Sequence, residues 1–382
     1  MANTTTYVLP KLLAQGVLAL RKNAIMSRVV NRDYDNLAAL KGAAINVPIP
    51  SGITATNVTP GLTTVSNNAI SPTAAVVTLD FWKSADFYLT DKEMQECMAG
   101  TVPMQASEAI SALGNAISTY IIGKSVGIFG QAGTGGTTPF ATTVAVLGEA
   151  RMKLNRQKAP LDNRVAVFDP MAEANLLLVS PVLLAQERGD SQAVINGAIG
   201  RKLGFDVYMD QNITTFTPGT GWAAGFIAST VGGAIGDTTL NLINATASGT
   251  IKIGDVFYLT ADSTNKNQYV VTANATASAT VAVAIGFYPA LLTTVATGAT
   301  LVVSSATYTQ NLAFHRDAYA WASRPMQDIL GLGNQFSSIV DPVSGVALRL
   351  EVSRQWKQTT FSYDVLGGAQ LVRSDLAVSI LG

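Results

Sequence analysis

Apolar and polar positions alternate most regularly near the C-terminus. Val346, Leu348, Leu350 and Val352 alternate with Ala347, Arg349, Glu351 and Ser353, the period of two that a half-buried strand requires. The preceding Asp341-Pro342-Val343-Ser344-Gly345 reads as a turn. Thr359, Phe361, Tyr363 and Val365 continue the alternation up to Gly367-Gly368, and a last segment, 371–381, closes the chain. Upstream the period lengthens. Ala106, Ile110, Leu113, Ile117, Tyr120 and Ile121 recur at three-to-four spacing, which predicts a helix running to the glycines that begin at Gly127. Ahead of it, Thr90-Asp91-Lys92-Glu93 is a capping box, so a helix starts there and is interrupted at Pro103. At 1.5 Å per residue the resumed piece spans roughly 35 Å. A one-sided stripe of that length needs a sheet or another subunit to lie on.

The other segments are shorter. Residues 9–30 are amphipathic, with Leu9, Leu12, Leu13, Val17 and Leu20 near helical spacing, followed by Arg21, Lys22 and Arg28. From Gly42 to Asp80 the chain is almost uncharged, with strand-like runs at both ends and Pro48, Pro50, Pro60 and Pro72. This predicts a long β-hairpin or extended loop, a length unusual inside a compact domain and suggestive of contact between molecules. Gly130–Phe140 is a flexible connection. It leads to a helix near 144–154, a strand at Arg164–Phe168, and a helix in MAEANLLL after Asp169-Pro170. Residues 197–207 read as turns entering a strand. From about 213 to 310 the texture changes to Thr, Val and Ala with five charges and short strand candidates such as IKIGDVFYLT and QYVVTAN, which predicts an inserted β-domain.

Composition narrows the function. Twenty-five Lys and Arg balance 25 Asp and Glu in 382 residues, and only 13% of residues are charged. An ordinary soluble domain carries roughly 25%. A nucleic-acid reader needs a basic face, so tight DNA or RNA binding is disfavoured. One cysteine, Cys97, excludes an intramolecular disulfide framework or a multi-thiolate metal site, and one histidine, His315, excludes a His-clustered zinc site. The uncharged stretch 267–315 is broken by Gly286, Pro289 and Gly298 and rich in Thr and Val, so it reads as strands, not a membrane span. The N-terminus has no basic region ahead of its apolar run and is not read as a secretory signal.

No catalytic constellation is legible. Gly123-Lys124-Ser125 resembles the end of a phosphate-binding loop, but Ser118 stands where the first glycine belongs and a helix, not a strand, precedes it. Gly133-Thr134-Gly135-Gly136 reads as a hinge without a strand–turn–helix unit around it. Arg201 and Lys202 among Gly197, Gly200 and Gly204 read as a backbone turn ahead of a strand. His315, flanked by Arg316 and Asp317, reads as a strand residue bonded to a neighbour, and Glu173 and Glu187 have no partner constellation. The expectation is a protein that is not an enzyme and holds no cofactor and no metal.

Six segments in this order resemble the major capsid proteins of tailed bacteriophages with the Hong Kong 97 fold, in particular the coat proteins of short-tailed Salmonella phages, which carry an inserted β-domain. They are RVVNRDYDNLAALKGAAINVPIP, FWKSADFYLTDKE, NRVAVFDPMAEANLLL, NGAIGRKLGFDVYMDQNI, NLAFHRDAYAWASRP and SYDVLGGAQLVRSDLAVSIL. The resemblance implies an α+β fold with an N-terminal arm (1–45), an extended loop (46–85), a peripheral domain with a spine helix (86–139 and 331–382), an axial domain (140–212 and 311–330) and an inserted β-barrel-like domain (213–310). The wider fold's prototype crosslinks subunits through Lys and Asn. No motif here carries that chemistry, and the chain is expected to remain unprocessed.

The implied function is self-assembly into the icosahedral shell enclosing a double-stranded DNA genome. The implied partners are the chain itself in hexamers and pentamers, a scaffolding protein, a portal, a possible decoration protein and weakly contacted packaged DNA, with no membrane. Its place is the virion, after assembly in the host cytoplasm. Ile53, Val58, Leu62, Val65 and Ile70 are too sparse to form a core of their own and are the expected intersubunit contacts. Two other readings are an encapsulin-type compartment shell, which would hold an enzyme cargo, and a β-rich surface adhesin, which would carry a secretion signal.

Overall fold

The computed structural model describes residues 20, 24–34, 44–53, 55, 57, 60, 70–96, 101–179, 199–221, 227–228, 232–243, 248–260, 267–277, 281–303, 306–326 and 335–382. It is a mixed α/β structure made mostly of strands, and the chain divides into two compact units. Unit 1 takes 1–22, 31–113 and 319–372; unit 2 takes 23–30, 114–318 and 373–382.

In unit 1, β1 (Ala44–Ile49) and β2 (Thr73–Thr78) form an antiparallel pair, the hairpin expected from the proline-rich excursion. Ile45, Val47 and Val77 point inward and pack with Ala320 and Ala322. A five-stranded antiparallel sheet follows, built from β3 (Phe81–Thr90), β4 (Tyr319–Arg324), β5 (Gln335–Val340), β6 (Ala347–Gln355) and β7 (Gln358–Leu371). β7 is its centre, pairing with β6 and β4 along one edge and with β3 along the other.

The predicted alternation holds in this sheet. Val346, Leu348 and Leu350 are buried, as are Phe361, Tyr363 and Val365. The turn at 341–345 is closed by Asp341, whose carboxylate accepts from the Val343 and Ser344 amides and from the Ser344 hydroxyl. The strand does not stop at Gly367-Gly368, however. It runs on to Leu371 because the glycines are needed for packing. A β-carbon on Gly367 would lie 2.5 Å from Trp321 Cη2, and one on Gly368 would strike the Thr78 carbonyl oxygen.

The capping box at Thr90 forms. The Thr90 amide donates to Glu93 at 2.9 Å and the Glu93 amide donates to the Thr90 hydroxyl at 3.3 Å, opening α1 (Asp91–Glu96). Both Thr90 groups bonded to Glu93 hold its carboxyl below the usual range. Pro103 does not interrupt a helix. It sits in the first turn of α2 (Thr101–Gly123), where a missing N–H costs nothing. The stripe Ala106, Ile110, Leu113, Ile117 and Ile121 is buried as predicted. Cys97 and the amphipathic run at 9–19 lie outside the described residues.

Unit 2 holds a seven-stranded mixed sheet. Its neighbours run Gly130–Ala132, Ala377–Leu381, Tyr308–His315, Arg164–Phe168, Phe205–Met209 and Arg201–Lys202, with Thr215–Phe216 added to Tyr308–His315. A three-residue strand thus opens the Gly130–Phe140 segment that was expected to be a flexible connection throughout. Yet α3 (Ala145–Arg156) begins nine residues after Gly136, too far for a phosphate cradle at its N-terminus. The predicted helix α4 (Pro170–Leu178) is capped by Asp169, which accepts from the Met171 and Ala172 amides.

Residues 227–303 form a second, antiparallel sheet of six strands. Its order is Leu301–Val303, Val256–Leu259, Gln268–Val271, Val283–Tyr288, Thr239–Ile243, Ile227–Ala228. The two ends of this order meet. Ile227 bridges Thr300, and the Ala228 amide donates to the Ala299 carbonyl at 2.9 Å. Phe257, Tyr269 and Phe287 fill the interior with ring centroids 5.5–5.6 Å apart.

Candidate assembly surfaces

Of the five expected contact residues, the structure describes two. Ile53 is 70% exposed and Ile70 78% exposed, both between the inward-anchored strands β1 and β2. Val58, Leu62 and Val65 lie outside the described residues. The hairpin is therefore held at its base by Ile45, Val47 and Val77 while the apolar side chains described further out face solvent.

Three aromatic residues absent from the expected set share this exposure: Trp82 at 65%, Tyr88 at 62% and Trp356 at 85%. Trp82 and Tyr88 lie on one face of β3, whose free side pairs with no strand among the described residues. Opposite them on β7 stand Leu366 and Thr360. The signal was present in Phe81-Trp82 and Phe87-Tyr88. Adjacent residues of a strand point to opposite faces, so each aromatic pair must place one ring outside. Trp356 and Lys357 form the two-residue turn between β6 and β7, with the Lys357 ammonium 4.4 Å from the indole centroid.

The same outer face of the sheet is charged. Arg349 on β6 makes a forked pair with Asp364 on β7, at 3.0 and 2.6 Å, and lies 3.6 Å from Glu351. Asp86 on β3 accepts from the Ser84 and Ser362 hydroxyls. At the end of the sheet, in register with the opposite face, Arg354 reaches Asp91 at 2.7 Å. On the opposite, buried face the Tyr363 hydroxyl finds no hydrogen-bond partner among the described residues, and burial pushes its ionisation up to about 12.

The residues singled out for possible chemistry are otherwise occupied. Gly123 ends α2 and Lys124–Gly127 is a 3-10 turn, in which buried Ser125 donates to Gln310 at 3.2 Å. His315 is buried at the end of its strand. Its Nδ1 accepts from the Asp317 amide at 3.2 Å and its Nε2 lies 4.0 Å from Asp162. Gly204 forms, with Leu203, the tight turn between Arg201–Lys202 and Phe205–Met209, and Gly200 immediately precedes the first of these strands; all three have positive φ. Glu173 lies in the first turn of α4, and Glu187 is outside the described residues. Among the described residues no group of three or more His, Cys, Asp or Glu could hold a metal ion, and no helix is long and apolar enough to cross a membrane.

One polar node in unit 2 couples residues distant in sequence. Gln268 accepts from the Gln131 amide at 2.8 Å and from the Lys153 ammonium at 3.0 Å, and donates to the Gln131 carbonyl at 3.0 Å. Lys153 also reaches the Gln131 carbonyl and pairs with Glu149. Gln131 in turn donates to the Tyr308 hydroxyl at 2.9 Å, whose ionisation is raised by burial and by Asp255.

No family model and no curated protein matches the chain. Solved structures do. A structure from Mycobacterium phage Che8 superimposes with a TM-score of 0.52 at 16% identity, over 94% of this chain and 91% of that one. The capsid structure of the cyanophage P-SCSP1u gives 0.50 at 12% identity, over 94% and 88%. At these identities the likeness is one of fold, and it extends over nearly the whole chain. The chain has the fold of a phage capsid protein.

Proposed function

We propose that this chain is a major capsid protein that assembles with copies of itself into the icosahedral shell of a tailed bacteriophage, enclosing double-stranded DNA. The observation that carries the reading is the fold likeness to a phage capsid structure across 94% of the chain. A shell of identical copies repeats modest contacts until they close, so side chains left exposed in one copy gain their partners from the next.

The finer assignment follows the Hong Kong 97 plan of the short-tailed Salmonella-phage branch. Residues 1–45 serve as the arm, 46–85 as the loop laid on a neighbour, 86–139 with 331–382 as the peripheral domain and 140–212 with 311–330 as the axial domain. Residues 213–310 serve as a barrel-like insertion, supported by the meeting of the sheet's ends at Ile227 and Thr300. Hexamers and pentamers of the chain would form in the host cytoplasm around a scaffolding protein, with a portal, and a decoration protein could be added outside. The role is structural, with no catalytic step and only weak, sequence-independent contact with DNA.

Purified protein, with its scaffolding protein if one is needed, should sediment as a large particle and appear in electron micrographs as closed shells. A subunit that stays monomeric under all assembly conditions refutes the reading. Shells filled with an enzyme in place of DNA would redirect it to a compartment protein.

A further inference from the structure

The zero net charge of the chain conceals two patches of opposite sign. In unit 2, α3 turns Leu147, Ala150 and Leu154 inward and exposes Arg151, Met152, Asn155 and Arg156, with Lys158 just past its end. The one acid of this segment, Glu149, is tied to Lys153 at 3.0 Å. Arg151 donates to the Leu203 carbonyl at 3.0 Å, which brings up the adjoining hairpin with Lys202 and with Arg201, the latter 3.8 Å from Asp206, so that the bases still outnumber the acids here. In unit 1 the segment from 80 to 93 has the reverse character. Asp80, Asp86, Asp91 and Glu93 outnumber Lys83 and Lys92, Asp91 being held by Arg354 at 2.7 Å, and Trp82 and Tyr88 stand exposed among them on β3, which pairs with β7 along one side and with no described strand along the other.

These patches suit each other chemically. A guanidinium stacks on an indole or phenol face while donating to a neighbouring carboxylate, and exposed Arg, Met, Trp and Tyr are the residues enriched where proteins meet. Neither patch can pair with its own copy across a two-fold axis, because like charges would face each other. A contact between unlike patches on identical subunits is heterologous, the kind that propagates around a ring or shell.

We infer that α3 of one copy docks against β3 of a second copy, with Arg151 and Arg156 set among Trp82, Asp86 and Tyr88. The inference rests on the shell-forming reading and names where two copies meet. It also accounts for low overall charge beside surfaces with a local excess of one sign: the excess charges steer assembly and fix its direction.

Reversing each patch alone and then both together tests it. The variants are R151E/R156E, D80K/D86K and the four substitutions in one chain, with R156E/K158E as a second basic-patch variant that leaves the Arg151 bond to Leu203 intact. Each pair should lower the yield of sedimenting shells by about tenfold or more at low salt while the subunits keep their wild-type circular dichroism, and the fourfold variant should recover most of the yield. Wild-type assembly should slow as salt rises toward about 1 M, where the Debye length falls to about 3 Å. Shells that form normally from either pair, or a folded fourfold variant that makes none, would overturn the contact and leave the shell reading standing. A wild type that never leaves the monomer overturns both. Normal shells of R151E/R156E that lose bound DNA would assign the basic patch to nucleic acid and overturn the contact.

Discussion

Phe257, Tyr269 and Phe287 pack ring against ring within residues 227–303, whereas Ile53 and Ile70 within 44–78 are 70% and 78% exposed. Both regions are rich in Thr and poor in charge, and both are built from short antiparallel strands. They differ in whether the strands return on themselves. In 227–303 the six-stranded sheet and its connections bring thirteen described buried side chains into one cluster, ten of them on the six strands, so the region carries its own hydrophobic driving force. In 44–78 two strands can bury only the side chains at their base, and a lone two-stranded hairpin is marginal in water. The first region packs its apolar side chains on one another, and the second leaves the described ones beyond its base to solvent.

The comparison breaks most sharply at Phe257. Its replacement by Ala should cost about 3–5 kcal/mol, the transfer term plus the cavity left between Tyr269 and Phe287. Urea unfolding followed by tryptophan-independent circular dichroism would measure it. A loss below about 1 kcal/mol would mean that the cluster is not the region's core.

A second test removes the polar node instead of the apolar one. Gln268→Ala deletes an acceptor for the Gln131 amide and one of the two donors to its carbonyl, Lys153 remaining as the other, so the part-buried amide loses this acceptor. A loss of roughly 1–3 kcal/mol is expected. Hydrogen exchange should quicken at the Gln131 amide. Unchanged exchange there would show that another group takes over the bond.

These regions were unequally legible in the sequence. Alternation at 346–352 and 359–365, the stripe on α2 and the capping box at Thr90 could be read because each is a local pattern with a local cause. What could not be read depends on residues far away in the chain. Gly367-Gly368 looked like a strand end, since glycine usually weakens strands. Their purpose is to let Trp321 and the Thr78 carbonyl approach, and those partners lie 46 and 290 positions away. Pro103 looked like a break because its place in the helix depends on where the helix begins. Of the candidate contacts, the exposure of Ile53 and Ile70 was legible in the absence of neighbours to form a core with. Trp82 and Tyr88 were missed although their pairing with Phe81 and Phe87 required one outward ring each.

The unit 1 sheet supplies an intermediate case, a buried face that carries the Tyr363 hydroxyl. Tyr363 is fully buried and its hydroxyl lacks a partner among the described residues. Replacing it with Phe removes an uncompensated polar group, so stability at pH 7 should hold or rise by up to about 1 kcal/mol. The pH dependence has a definite sign. The folded-state ionisation, raised to about 12 by burial, lies above the unfolded value near 10, so the neutral form favours folding. That contribution is full below about pH 10 and is lost as pH rises toward about 12, because the unfolded chain releases its proton first. Tyr363→Phe should therefore flatten the alkaline decline in the denaturation midpoint between those values. An unaltered decline would place its origin in other tyrosines, Tyr308 first among them.

The smallest effect on the subunit, and the most informative about assembly, is expected at the hairpin. Ile53→Ser with Ile70→Ser removes two side chains that already face water, so the subunit's unfolding should move by no more than about 0.5 kcal/mol. In a shell the same two side chains would each bury surface worth about 1.5–3 kcal/mol before ordering costs. Pro48, Pro50, Pro60 and Pro72 would reduce those costs by restricting the chain beforehand. Small terms repeated at every subunit should then lower the temperature or denaturant concentration at which the shell comes apart, measured by light scattering. Equal losses in subunit and shell would mean that the hairpin packs on its own copy. The contrast with residues 227–303 would then be one of core size and not of partner.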